Sequence, residues 1–285
     1  MRWLIYGLSC VLIAGSAIIV GSVFFLFKYG KGLPEYGQLA DYKPSVVTRV
    51  HGGDGRLLAE YAKERRVFVP VEVMPKLLIK AFLSSEDKNF YSHQGIDVKS
   101  LLSAAFDNLI NLTSGRRPRG ASTITQQVAK NFLLTNEVSI ERKIKEAILA
   151  FRIEKALSKN RILELYLNEI YLGFGSYGVA AAALNYFDKS LDELSVAEVA
   201  YLAALPKAPN NYHPVRKKKA ALARRNWVIQ QMHKNGFISN NTMTKEQLTP
   251  LELKPASKTE FVDAKYFSEE VRRQLISRYG LDRVY

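Results

Sequence analysis

Leu77-Leu78-Ile79-Lys80-Ala81-Phe82-Leu83-Ser84-Ser85-Glu86-Asp87-Lys88-Asn89-Phe90-Tyr91-Ser92-His93-Gln94-Gly95 is the stretch on which the reading of the fold turns. Leu78, Phe82, Glu86 and Phe90 recur every fourth position, the spacing of one helix face. Three of the four are apolar, so the face is expected to be buried, and Glu86 goes in with it. A carboxylate on an apolar ridge is costly to ionise; desolvation raises its proton affinity and suits it to act as a general base. The competing reading is a helix-end glutamate that turns out to solvent or is capped by His93.

Outward from this stretch the pattern divides the chain. From Pro75 to about His233 it is helical, so the fold class is mainly α. Before it, Ser45 to Val73 has strand character at Val46-Val47-Thr48 and Val67-Phe68-Val69, with a turn-like Gly52-Gly53-Asp54-Gly55 between. Lys28 to Pro44 reads as a linker. Trp3 to Phe27 contains no charged residue, longer than the ~20 residues a helix needs to cross a bilayer. It outruns the apolar core of a signal peptide, so an uncleaved transmembrane anchor is expected. Asn235 to Lys258 is polar and weakly patterned, and Tyr266 to Tyr279 resembles one more amphipathic helix. The expected organisation is therefore 1–28 anchor, 29–66 linker with a small β element, 67–235 main domain and 236–285 C-terminal segment.

Composition narrows the chemistry. Hydrophobic residues make up 47% of the 285 and charged residues 24%, which excludes global disorder. Lys plus Arg total 41 against 27 Asp plus Glu, an excess that favours an anionic partner: nucleic acid, acidic lipid or a phosphorylated substrate. The single cysteine, Cys10, excludes a disulfide framework and a Cys-rich zinc site within one chain. His51, His93, His213 and His233 show no metal-ligand spacing, so no metal site is expected.

Three further segments could carry chemistry. In Gly120-Ala121-Ser122-Thr123-Ile124-Thr125-Gln126-Gln127-Val128-Ala129-Lys130-Asn131, Ser122 is the expected helix N-cap. Thr123, Gln127 and Lys130 then share one face, and a lysine on a polar face near a helix N-terminus suits a phosphate; a solvated face is the alternative. In Glu141-Arg142-Lys143-Ile144-Lys145-Glu146, Arg142 and Glu146 stand four apart, which by itself predicts no more than a surface ion pair. Ile162 to Gly178 joins a helix, ILELYLNEIYL, to a glycine-punctuated aromatic turn. Arg216 to Lys219 with Arg224-Arg225 forms a basic run on a helix. Solvated charge or attraction to a membrane surface would account for it.

Taken in order, these segments resemble the peptidoglycan glycosyltransferase domain of family 51, the polymerase module of class A penicillin-binding proteins and of monofunctional glycosyltransferases. The family pattern E-D-x-x-F-x-x-H-x-G is met at Glu86, Asp87, Phe90, His93 and Gly95. G-x-S-T-I-T-Q-Q-x-x-K-N is met from Gly120 to Asn131, and R-K-x-x-E at Arg142, Lys143 and Glu146. I-L-E-x-Y-L-N with its glycine turn is met from Ile162 to Gly178. R-R-x-x-V-L-x-x-M is met at Arg224, Arg225, Val228 and Met232, with Ile229 in place of leucine.

The resemblance implies a lysozyme-like, two-lobed helical domain beside the N-terminal transmembrane helix and the small β element. It implies lipid II and the growing glycan strand as substrates, with inversion at C1 and release of undecaprenyl pyrophosphate. Glu86 would be the base and Glu146 would assist at the leaving group. Asp87, Phe90, His93, Thr123, Gln127, Lys130, Asn131, Arg142 and Lys143 would hold sugar or pyrophosphate. It leaves a divalent cation, Mg2+ or Mn2+, open at the pyrophosphate. Membrane lipids and cell-wall synthesis proteins are the implied partners, with no nucleic acid. The implied location is the bacterial inner membrane, single-pass, with the catalytic domain on its outer face. Val98 to Pro118 would be a hydrophobic element dipping into the bilayer. The end at Tyr285 leaves no room for a transpeptidase after the polymerase. Two rival readings are a murein-cleaving lysozyme-like enzyme and a non-catalytic membrane-tethered scaffold; the phosphate-binding pattern speaks against the first.

Overall fold

In the computed structural model the described residues are 28–40, 48–53, 57–61, 67–111, 120–135, 137–254 and 265–280, with isolated positions 6, 15, 16, 21 and 42. Apart from those at 6, 15, 16 and 21, the anchor expected at 1–28 lies outside them but for its last residue, Lys28. Among the described residues no helix is long and apolar enough to cross a membrane.

Two short strands, β1 (Thr48–His51) and β2 (Leu57–Tyr61), pair antiparallel with Thr48 opposite Tyr61. The helices in chain order are α1 (Lys76–Glu86), α2 (Val98–Asn111), α3 (Ile124–Leu133), α4 (Ile140–Ala156), α5 (Lys159–Glu169), α6 (Val179–Phe187), α7 (Val196–Ala204), α8 (Lys218–Lys234), α9 (Asn240–Leu248) and α10 (Lys265–Tyr279). The mainly α expectation holds. Helix α9 was not legible: its apolar positions are few and no residue of it is buried.

The core forms around α7. Ala197, Val199, Ala200, Tyr201, Leu202, Ala203 and Ala204 are all buried, as expected for a helix apolar on every side. Its small side chains let α1, α6 and α8 approach closely, and α3 lies against α4 and α5. Four of these helices begin on a serine or threonine whose side chain accepts a backbone N–H: Thr123 for α3, Ser139 for α4, Ser158 for α5 and Ser195 for α7. For α3 the cap is thus Thr123, one residue later than expected, because only Thr123 can share a reciprocal capping box with Gln126.

Val67-Phe68-Val69, given strand character from the sequence, belongs to no strand among the described residues. A side-chain amide takes the place of a neighbouring strand. Asn168 Oδ1 accepts from Val69 N at 2.8 Å and its Nδ2 donates to Val69 O at 2.9 Å. One helical turn earlier, Glu164 Oε2 accepts from Val71 N at 3.0 Å. The residues expected as linker are also fastened: Leu39 is buried, and Arg161 Nη2 donates to the carbonyls of Leu39, Ala40 and Tyr42. Helix α5 therefore clips the chain down on both sides of the β-hairpin.

Helix α2 is largely uncovered although apolar. Only Ala104 is buried, while Val98, Leu101, Leu102, Phe106, Leu109 and Ile110 are exposed.

Asn168→Ala would leave both polar groups of Val69 without their partner. It should cost about 2 kcal/mol, read as a lower denaturation midpoint in guanidinium with unchanged slope.

Candidate active site

Glu86 is the last residue of α1. Leu78 and Phe82 are fully buried, so the ridge read from the sequence faces the core and carries Glu86 to the edge of it. Ser85 Oγ donates to Ala203 O at 2.7 Å, pinning the end of α1 to the end of α7. The Glu86 side chain is 12% exposed. Its Oε2 accepts from Gln127 Nε2 at 2.9 Å, and its Oε1 lies 4.0 Å from Arg224 Nη2. Burial raises the pKa of Glu86 above the ordinary carboxylate value. The hydrogen bond from Gln127 and the charge of Arg224 oppose the shift without cancelling it.

The neighbouring residues of the same segment hold this arrangement in place. Asp87 is buried, faces His93 Nε2 at 2.9 Å and accepts from Ile124 N at 3.0 Å. Thr123 donates its hydroxyl to Gly95 O at 2.6 Å and accepts from Gln126 N. Gly95 has φ +88°, and a Cβ there would stand 2.8 Å from the backbone of Ala150 on α4. These bonds lock the end of α1, the start of α3 and the middle of α4 together. Phe90 is fully buried beneath the ammonium of Lys159, 4.4 Å from the ring centroid. Asp87 and Thr123 thus have hydrogen-bond partners within the protein, Phe90 is fully buried, and His93 has a partner at Nε2 and none at its buried Nδ1.

The second carboxylate, Glu146, is 1% exposed. Arg142 Nη1 reaches one oxygen and Lys143 Nζ the other, each at 2.5 Å. Lys143 also donates to Ser122 Oγ at 2.8 Å. Lys130 joins the cluster: burial lowers its pKa, the field of Glu146 opposes that, and Arg142 and Lys143 add to it. Three cations around one buried carboxylate are not the surface ion pair that spacing alone predicts. A carboxylate sealed this way is poor evidence for stability; its effect is to gather positive charge. Gln127 and Lys130 stand three apart on α3, so the face that holds Glu86 continues one turn later into this cluster. Asn131 lies next on that face and is exposed.

Two residues of the basic run, matched to the R-R-x-x-V-L-x-x-M pattern in the sequence and given no role there, belong to the site or its support. Arg224 stacks on the Trp227 ring at 3.9 Å and points to Glu86. Arg225 turns the other way; it is fully buried and donates to the carbonyls of Gln247 and Thr249. Beside that pattern, a second sequence signal was Trp227 three residues after Arg224, the spacing of a helical stacking pair. Tyr166 of α5 was also missed: its hydroxyl is buried without a hydrogen-bond partner, and Glu86 and Asp87 both bear on it electrostatically.

Among the described residues no group of three or more His, Cys, Asp or Glu could hold a metal ion. Each oxygen of Glu146 is bonded by a cationic side chain.

A sequence model of the family described as Transglycosylase matches residues 54–233. Penicillin-binding protein 1A of Rickettsia prowazekii (strain Madrid E) is 49% identical over 270 residues, which are 94% of this chain and 34% of that protein. Penicillin-binding protein 1A of Escherichia coli (strain K12) is 39% identical over 279 residues, 98% of this chain and 32% of that protein. The crystal structure of penicillin-binding protein 1A from Haemophilus influenzae aligns over 86% of this chain and 26% of that one, with 28% identity and a TM-score of 0.49. The chain spans about a third of the length of the curated relatives it matches.

The electrostatics of Glu86 carry a stability prediction. Its pKa is raised on folding, so the folded state prefers the protonated form, and stability is lost as pH rises from the unfolded value through the folded one. Glu86→Gln should therefore raise the thermal midpoint at neutral pH, with the gain shrinking to nothing toward pH ~4, near the ordinary glutamate value. Calorimetry across that range checks the sign.

Proposed function

The chain belongs to the transglycosylase family, and from that premise we propose that it polymerises lipid II into glycan strands at a bacterial inner membrane. Glu86 takes the proton from the 4-hydroxyl of the acceptor sugar. That oxygen forms a bond to C1 of the lipid-linked strand from the face opposite the leaving group. The C1–O bond to the pyrophosphate breaks, the configuration inverts, and the electron pair leaves on undecaprenyl pyrophosphate. The logic is that of an inverting glycosidase with a sugar hydroxyl in place of water.

One observation carries this reading: a buried carboxylate with raised proton affinity shares a face of α3 with a cluster of Lys130, Arg142 and Lys143 around Glu146. The cluster offsets the charge that grows on the pyrophosphate. Glu146 keeps Arg142 and Lys143 oriented, with no step routed through a metal ion. Gln127 holds Glu86 ready to accept, and Arg224 favours its ionised form. Asn131, exposed beside Lys130, is within the same substrate face.

The exposed ridge of α2 supports contact with the bilayer. Leu101, Leu102, Phe106, Leu109 and Ile110 are exposed, and an amphipathic helix of this kind lies at the head-group boundary. The domain is read as sitting on the outer face, held by the anchor proposed at 1–28, with lipids, the glycan strand and other cell-wall synthesis proteins as partners.

Glu86→Gln should lower the turnover of fluorescent lipid II by about a thousandfold. Gln127→Ala removes the donor that lowers the proton affinity of Glu86. The acid limb of its kcat/KM profile should therefore move to higher pH. Full turnover in Glu86→Gln would remove it as the base.

Phe106→Glu with Ile110→Glu, in a version beginning at Lys28, should weaken binding to anionic lipid vesicles at least about tenfold with an unchanged circular dichroism spectrum.

A further inference from the structure

Positive charge is spread very unevenly along the chain. Residues 199–245 contain no Asp or Glu and nine Lys or Arg, against a formal net charge of +14 for all 285 residues. Within this stretch Arg224 has Glu86 at 4.0 Å, and Glu246 bears on Arg225. The densest part is Arg216-Lys217-Lys218-Lys219, and all four are exposed. Lys217 Nζ donates to Asn211 Oδ1 at 3.0 Å. Among the described residues none of the four forms an ion pair with an Asp or Glu.

The run stands where a helix tolerates cations least. Helix α8 begins at Lys218, and its first turn holds no acidic residue. That end carries the positive pole of the macrodipole, so the four charges repel the pole and one another. An anion lying outside the helix relieves this repulsion; water alone does so poorly.

The face continues along α8. Lys219, Ala223, Trp227, Gln230 and Lys234 recur at three- or four-residue spacing and are all exposed, so one stripe without an acid runs the length of the helix. Trp227 is 38% exposed, with its ring stacked by Arg224 at 3.9 Å, and Val215 beside the basic run is 67% exposed. From Lys218 to Trp227 the stripe covers about 14 Å. A row of cations with a part-exposed indole and an aliphatic group matches the head-group layer of a bilayer. The cations meet lipid phosphates, and the indole sits at the boundary with the acyl chains. Free phosphate would use the charges and leave the apolar groups in water. The uncharged stretch from Trp3 to Phe27, read above as an anchor, makes lipid rather than nucleic acid the polyanion within reach.

We propose that the outer face of α8, from Val215 to Trp227, docks on an anionic phospholipid surface. This is a second contact, on a different helix from the apolar ridge of α2, and it selects lipids by charge where that ridge cannot. Both contacts border the segment that carries Glu86. Arg224, stacked on Trp227, lies 4.0 Å from its carboxylate. Asn89, three residues after it, donates at 2.7 Å to Asp97, the residue before α2. The inference rests on the membrane reading given above and not on the reaction assigned to Glu86.

The test uses the full chain in vesicles, with Trp3→Phe so that Trp227 is the sole tryptophan. Phosphatidylcholine vesicles are doped with brominated lipid, which quenches an indole on contact. Brominated phosphatidylglycerol should quench Trp227 more strongly than the same amount of brominated phosphatidylcholine. Changing Arg216, Lys217, Lys218 and Lys219 to Gln should lower the equilibrium constant for the contact at least about tenfold. Raising salt from ~0.1 to ~1 M, which shortens the screening length to about 3 Å, should do the same. Lys218→Glu with Lys219→Glu separates lipid contact from folding: acids at the helix start should raise the thermal midpoint while the preference for anionic lipid disappears. Phe106→Ser with Ile110→Ser should keep that preference; its loss there would place the contact on α2 alone and overturn the inference. Equal quenching by the two lipids, or quenching retained in the glutamine variant, also overturns it. So does quenching abolished by inorganic phosphate at constant ionic strength, the mark of a free-anion site. A Trp227 emission shift with a double-stranded oligonucleotide and no lipid quenching would give the face to nucleic acid instead. Vesicle-bound chain with Trp227 unquenched sinks the docking face alone, whereas chain that floats free of the vesicles sinks the membrane reading with it.

Discussion

A carboxylate is kept almost dry at the end of a helix, and most of the domain serves to hold it there. Glu86 could escape to water by a small unwinding of α1. The Ser85–Ala203 bond, the Asp87–Ile124 bond and the close contact of Gly95 with α4 forbid it. Charge burial of this kind destabilises a protein, so the packing around it has to be stiff. The small-residue helix α7, with α1 and α8 closely applied to it, supplies that stiffness.

The same constraint explains why so many polar residues of the segments around Glu86 face inward. Asp87, Thr123, Gln126, Glu164 and Asn168 are all buried with hydrogen-bond partners. Each satisfies backbone groups at a helix end or an unpaired strap. They specify how the pieces meet, leaving Gln127, Lys130, Arg142, Lys143 and Arg224 to set the field around the two glutamates. The positive excess of the composition is in this sense local: three cations gather at one carboxylate and a fourth stands beside the other.

Periodicity was enough to find Glu86, because a four-residue apolar repeat has one physical meaning and a charged residue within it stands out. It was also enough to align Gln127 with Lys130. It could not show that Thr123, near the same face, bonds Gly95 and Gln126 with its hydroxyl. Nor could it divide Arg224 from Arg225. Adjacent positions on a helix point about 100° apart, and only the packing of α8 against α1 and α9 decides which one meets Glu86. The pairing of Val69 with Asn168 was hidden for a related reason. A strand-like run states that its backbone wants partners, and says nothing of a side chain 99 positions away that provides them.

Arg152 and Arg161 turn the start of the chain into a short leash. Gly30 O receives a hydrogen bond from Arg152, and the next fastening, by Arg161, begins at Leu39. On the anchor proposed above, ending at position 28, the two residues from there to the first knot at Gly30 are helical, about 3 Å along the helix axis. On that reading the domain has little freedom to orbit its mooring point. Its tilt over the lipid surface is then set by geometry at the knots, and a pull on the leash is felt first by α4 and α5, the helices that carry Glu146 and Tyr166.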